Sequence, residues 1–132
     1  MATLFSKIIA GEIPAAIIAQ DEHFIAFLDI MPLVEGHTLI VPKQEVDYLF
    51  DLNDDTLQRM LVFSKKIAAA IRQSIPCQRV GVSVIGLEVP HAHMHLVPIS
   101  SADDLNFTRP KLKPAPEALA ATAAKIRSAL AV

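Results

Sequence analysis

The chain has 132 residues, 52% of them hydrophobic and 20% charged, with a formal net charge of −2. That length and apolar fraction suit one globular domain over residues 1–132 and exclude a disordered chain. The near-neutral balance excludes a general electrostatic grip on a nucleic acid polymer or an anionic membrane, so any anionic ligand needs a local site.

The N-terminal "MATLFSKIIAGEIP" lacks the basic region and long apolar run of a secretory leader. Leu4, Phe5, Ile8 and Ile9 recur at helical spacing and Gly11 is a natural stop, which predicts a short first helix. "AAIIAQD" and "HFIAFLD" read as two strands joined by a tight turn around Asp21 and Glu22. "DIMPLVEG" is broken by Pro32 and Gly36 and reads as a loop, and "HTLIVP", His37 to Pro42, as a third strand. Asn53 is a good cap for a long helix that starts at Asp54 and ends near Pro76. Leu57, Met60, Leu61, Ser64, Ile67, Ala68 and Ile71 mark its apolar face.

The single cysteine, Cys77, permits no intrachain disulfide and reads as a small residue at a strand start. Together with the missing leader and the absence of an uncharged run of ~20 residues, it points to a cytoplasmic protein without a membrane partner. "QRVGVSVIG" and "HAHMHLVP" read as two further strands joined by "GLEVP". From residue 102 the chain is polar and interrupted by Pro110, Pro114 and Pro116, which reads as an extended surface segment. "PEALAATAAKIRSAL" then makes a final helix, with Pro116 in its first turn. Strand pairs close in sequence around one long helix predict an α+β domain with an antiparallel sheet.

Three of the five histidines, His91, His93 and His95, stand at every second position. On a strand they share one face, and Ala92, Met94 and Leu96 share the other, packed on the core. Three readings follow: incidental polar residues, metal ligands, or nucleophilic catalysis on phosphorus. So few histidines make a chance triple improbable. His91 and His95 would lie about 13 Å apart on an extended strand, too far to share one zinc ion at bonds of ~2 Å. A metal would need His37, Asp29 or Glu88 as well, and no metal or other cofactor is expected. A neutral imidazole is a good nucleophile near pH 7, and its neighbours can orient it or move protons. No GxxxxGK[ST] or GxGxxG phosphate loop is present.

"HAHMHLVP", preceded in order by "LFSKIIAGEIPAAII", "FIAFLDIMPLVEGHTLIVPK" and the long helix, resembles the histidine triad (HIT) superfamily of nucleotide hydrolases and transferases, in particular its Hint-like branch. The resemblance implies a five-stranded antiparallel sheet with one long helix and short N- and C-terminal helices, assembled as a homodimer. It implies that His93 attacks the α-phosphorus of a purine nucleoside phosphoramidate or related nucleotide conjugate. A nucleotidyl-histidine forms and water releases the nucleoside monophosphate. His91 and His95 would support His93 and bind phosphate or ribose oxygens, with the His91 carbonyl taking the other ring N–H. Asp29 would bind the ribose hydroxyls, a role that suits an acceptor-only carboxylate. Phe5, Ile8, Phe27, Leu28 and Ile30 would wall the base, and His37 would bond within the histidine cluster. Gly86, Glu88 and Val89 match the stretch beside the phosphate, where Leu87 and Glu88 depart from the family pattern of glutamine and Ser or Thr. From its charge alone, Glu88 would repel a phosphate if it points inward, or would instead favour a cationic leaving group such as an amine. The alternative function is a nucleotide-binding regulatory module with little turnover.

Overall fold

Thr3 opens the first helix. In the computed structural model, which describes residues 2–130, the Ser6 amide donates to the Thr3 hydroxyl at 3.0 Å and the Thr3 amide to the Ser6 hydroxyl at 2.6 Å. This reciprocal cap starts α1, Leu4–Ile9. Residues 1, 131 and 132 of the expected domain lie outside the described residues.

β1, Ile17–Gln20, and β2, Phe24–Leu28, form the expected hairpin. Its turn is held by Asp21, whose Oδ1 accepts from the amides of His23 and Phe24, each at 2.8 Å. β3 is Thr38–Pro42, β4 Arg79–Ser83 and β5 Met94–Ile99. They make one antiparallel five-stranded sheet in the order β1-β2-β3-β5-β4. β2 is apolar without alternation because both of its faces are covered. Phe24, Ala26 and Leu28 join the core under the two longer helices, whereas Ile25 and Phe27 pack with Phe5 and Ile8 of α1. The sheet thus has a structural face and a smaller second face beneath α1, where the histidines gather.

α2 spans Asp54–Ser74, and the Asn53 side chain accepts from the Thr56 amide at 2.8 Å. Met60, Ser64, Ile67, Ala70 and Ile71 are its buried residues. Leu61, expected on the apolar face, is exposed: the buried stripe runs along residues 60, 64, 67 and 71, and Leu61 sits outside its edge. α3 spans Pro116–Leu130 and packs beside α2, burying Thr122, Ala123 and Ile126. No helix among the described residues is long and apolar enough to cross a membrane.

Two further expectations differ from the structure. The last strand begins at Met94, not His91. The register pairs Ile40 with Met94, so continuing it would set Pro42 against Ala92. Pro42 has no amide to give, and its carbonyl is taken by the His91 ring. Ala92 instead donates to the Val46 carbonyl, and His91 to that of Val89. β4 likewise stops at Ser83, opposite His95. The second correction concerns the segment after residue 102. It is not merely extended surface. A short 3-10 helix, Ala102–Leu105, is followed by a return to the sheet: the Phe107 ring stands edge-on to His95 and the Leu112 amide donates to the Pro32 carbonyl.

Candidate active site

Between α1, the end of β2, the 85–89 stretch and the returning segment lies a cavity of about 570 Å³. Phe5, Ile8, Phe27 and Leu28 give it apolar walls, and Asp29 and Ile30 form part of its rim. Gly86, Glu88 and Val89 line the opposite side, and His93 and His95 face it from the sheet. Gly86 has φ +72°, a left-handed conformation that suits glycine, with open space where a Cβ would point. His37 and His91 lie behind this surface, each fully buried. A smaller cavity of about 300 Å³ sits under α3 on the other side of Asp29 and His37 and does not touch the triad.

Each imidazole is oriented by its partners. The Nδ1 of His93 lies 2.7 Å from the His91 carbonyl, which can only accept, so Nδ1 carries the proton. The lone pair of a neutral His93 is then on Nε2. His91 is itself fixed by two bonds: its Nε2 donates to the Pro42 carbonyl at 2.8 Å, and its Nδ1 faces the Thr3 hydroxyl at 2.9 Å. Both of its nitrogens are therefore engaged within the protein, and its link to the cavity is the backbone oxygen that holds His93. On the far side, the Leu33 amide donates to His37 Nδ1 at 3.0 Å, and His37 Nε2 lies 2.9 Å from His95 Nδ1. The amide makes Nδ1 of His37 an acceptor, so its Nε2–H donates to His95, and His95 keeps its own proton on Nε2. One imidazole thus offers a lone pair and the next an N–H.

Burial decides the charge of these rings. It pushes the His95 pKa down to about 3, helped by His37 and His93, and the His37 pKa down to about 4, helped by Lys111. It also lowers that of His93, against the opposing pull of the bond to His91. Asp29 shifts the other way, upward, because burial outweighs the hydrogen bond from the Met31 amide. A histidine that is neutral when folded and ordinary when unfolded binds more protons in the unfolded chain between the two pKa values. Stability from His37 and His95 is therefore complete above about pH 6.5 and is lost as the pH falls toward 4 and below. Denaturant melts from pH 7 to pH 4 should show a decline on the order of a few kcal/mol, reduced in His37→Gln. A flat profile would show that the pair is not held neutral.

Asp29, His37 and His95 bring one ligand atom each within 4.8 Å of one another, the donor set of a possible metal centre. The nitrogens of His37 and His95 that face each other are joined by a hydrogen bond, which a metal would have to break, and His37 Nδ1 is occupied by the Leu33 amide. The positive charge of Lys111 acts electrostatically on both Asp29 and His37.

Residues 10–102 match the model of the HIT domain. The chain belongs to the HIT domain family. It is 37% identical to the Protein hit of Bacillus subtilis over 102 residues, 72% of this chain and 69% of that one. It is 36% identical to an adenosine 5'-monophosphoramidase of Saccharomyces cerevisiae over 98 residues, 74% of this chain and 62% of the yeast protein. A crystal structure of a Zn-bound histidine triad family protein from Mycobacterium smegmatis superposes with a TM-score of 0.84 at 31% identity, covering 99% of this chain and 94% of that one. Sequence reasoning missed Thr3, which holds His91 from behind, and the outer wall that Phe107 and Lys111 give this HIT site. Phe107, the only Phe, Trp or Tyr after Phe63, was a signal that its polar segment is anchored.

Proposed function

We propose that this HIT protein is a nucleotidyl hydrolase that cleaves purine nucleoside phosphoramidates or related nucleotide conjugates through a covalent intermediate on His93. The observation that carries the reading is the bond from His93 Nδ1–H to the His91 carbonyl at 2.7 Å, which leaves a lone pair on the Nε2 of a ring that lines the cavity. The name of the yeast relative, an adenosine 5'-monophosphoramidase, agrees with this substrate class.

In this reading the base lies between Phe5, Ile8, Phe27 and Leu28, and Asp29 accepts from the ribose hydroxyls. His93 Nε2 attacks the α-phosphorus, the P–N bond to the leaving amine breaks, and the amine departs with a proton from solvent. His95 Nε2–H donates to a phosphate oxygen as charge gathers on it. Water then attacks phosphorus, the P–N bond to His93 breaks, and the nucleoside monophosphate leaves. A neutral imidazole is both the attacking and the departing group, so the enzyme returns to its starting form. The lone thiol of Cys77 agrees with a cytoplasmic setting. Leu61 and Val62 of α2 and Val82 on the open edge of β4 are exposed apolar residues that a second copy would cover in a homodimer.

The test is incubation with an adenosine phosphoramidate, with and without chelator, followed by a quench in base. A phosphorus–nitrogen bond to imidazole survives base and breaks in acid. AMP attached to His93, with release indifferent to chelator, is the expected result. Loss of release with chelator would favour a metal-dependent hydrolase. AMP binding with neither adduct nor release would favour the regulatory module, with Leu87 and Glu88 as the residues to examine.

A further inference from the structure

A nucleotide carries negative charge into this cavity, and most of the wall has little to meet it. Asp29 and Glu88 are carboxylates. His93 and His95 are neutral, one presenting a lone pair and the other a single N–H. Among the described residues that line the cavity, one basic side chain is present, Lys111. It stands outside residues 10–102, the part that matches the HIT domain.

The segment that carries Lys111 is fastened to the site at several points. The Phe107 ring packs edge-on against His95 with centroids 4.8 Å apart, and against His37 at 5.9 Å. Arg109 pairs with Asp104 at 3.2 Å, and the Leu112 amide holds the Pro32 carbonyl at 2.9 Å. Lys111 Nζ donates to the Phe107 carbonyl at 3.1 Å, which ties the ammonium to the residue whose ring packs on His95. An ammonium has three donors, so two remain for a ligand. The charge reaches into the site, where it opposes the burial-driven rise at Asp29 and adds to the burial-driven fall at His37.

We propose that Lys111, delivered by the chain's own C-terminal segment, binds the non-bridging oxygens of the nucleotide phosphate and supplies the positive charge that the triad lacks. The inference rests on the nucleotide reading of the cavity but not on turnover. The HIT domain then provides the imidazoles and the apolar base site, and the added segment provides the phosphate cation.

Calorimetric titration with AMP and with adenosine separates phosphate from base and ribose. Lys111→Gln should weaken AMP binding by roughly 10- to 100-fold, the range for a lost charge-assisted hydrogen bond, and leave adenosine binding unchanged. Lys111→Arg should keep AMP affinity within a few-fold. AMP binding by wild type should fall as salt rises, and that dependence should be shallower in Lys111→Gln. The side chain is exposed, so the variants should fold, which a thermal melt checks. Undiminished AMP binding by Lys111→Gln, or equal losses for AMP and adenosine, would overturn the inference alone. Failure of the wild-type protein to bind AMP would overturn the nucleotide reading together with it.

Discussion

Replacing His93 with alanine is expected to cut turnover of an adenosine phosphoramidate by ~10³-fold or more and to abolish the base-stable adduct, because no other group takes the place of a covalent nucleophile. The fold should survive. The substitution removes the 2.7 Å bond to the His91 carbonyl and an edge-on contact with Phe5, together worth about 1–3 kcal/mol. AMP should still bind, since Asp29, the apolar walls and Lys111 remain. A melt, an AMP titration and a single-turnover assay on one preparation distinguish lost chemistry from lost structure. A variant that kept wild-type turnover would rule out attack by His93.

The second large effect is expected at a residue that does not line the cavity. His37→Ala strands two buried partners at once: the Leu33 amide loses its acceptor and His95 Nδ1 loses its donor. Each unpaired group costs about 1–3 kcal/mol, so the total is roughly 2–6 kcal/mol, or a fall in Tm on the order of 10–20 °C. The chemistry should suffer separately. Without the His37 donor, the His95 proton is free to move to Nδ1, and the N–H facing the cavity is lost for part of the time. A decrease of ~10²-fold in kcat with a smaller change in KM is expected. His37→Gln offers both an acceptor and a donor and should recover part of both quantities. If it behaves no better than alanine in either, the hydrogen-bonded relay is not what His37 contributes.

Which of these features can be read from a sequence depends on how local their causes are. α2 begins where Asn53 and the two acids after it say it should, and α3 spans the residues expected from Pro116 onward, because caps and helix-compatible prolines act within one turn. The β1–β2 hairpin was legible for the same reason. The pairing of β3 with β5 was not, as it joins residues more than 50 positions apart, and with it went the reason for the strand to start at Met94. The every-second-residue histidines suggested a uniform strand face. His93 and His95 do both reach the cavity, and Ala92 and Met94 do join the core. The mechanism differs, since residues 91–93 hold this alternation off the ladder, and His91 is sealed beneath the surface by Thr3 and Pro42. Alternation alone pointed to imidazole chemistry, but the places of Asp29, Phe27 and Glu88 around the cavity were legible only through the family resemblance. Phe107 and Lys111 left no periodic trace at all. Their importance comes from where the chain returns, and a proline-broken polar segment does not say where it will be tied down.

Apart from the Thr3 hydroxyl beside His91, the hydrogen bonds that run from the imidazoles to the rest of the protein end on main-chain groups. The amide of Leu33 can only give, and the carbonyls of His91 and Pro42 can only take. Between them they set the polarity of the whole proton array. These are groups that almost every amino acid carries, so the polarity travels with the path of the chain and not with the identity of a neighbour. The side chains of walls and rim can therefore change one at a time, while the imidazole that gives a proton and the one that offers a lone pair stay as they are. Such a site is conservative in its chemistry and free in its taste, and the second property need not be bought at the expense of the first.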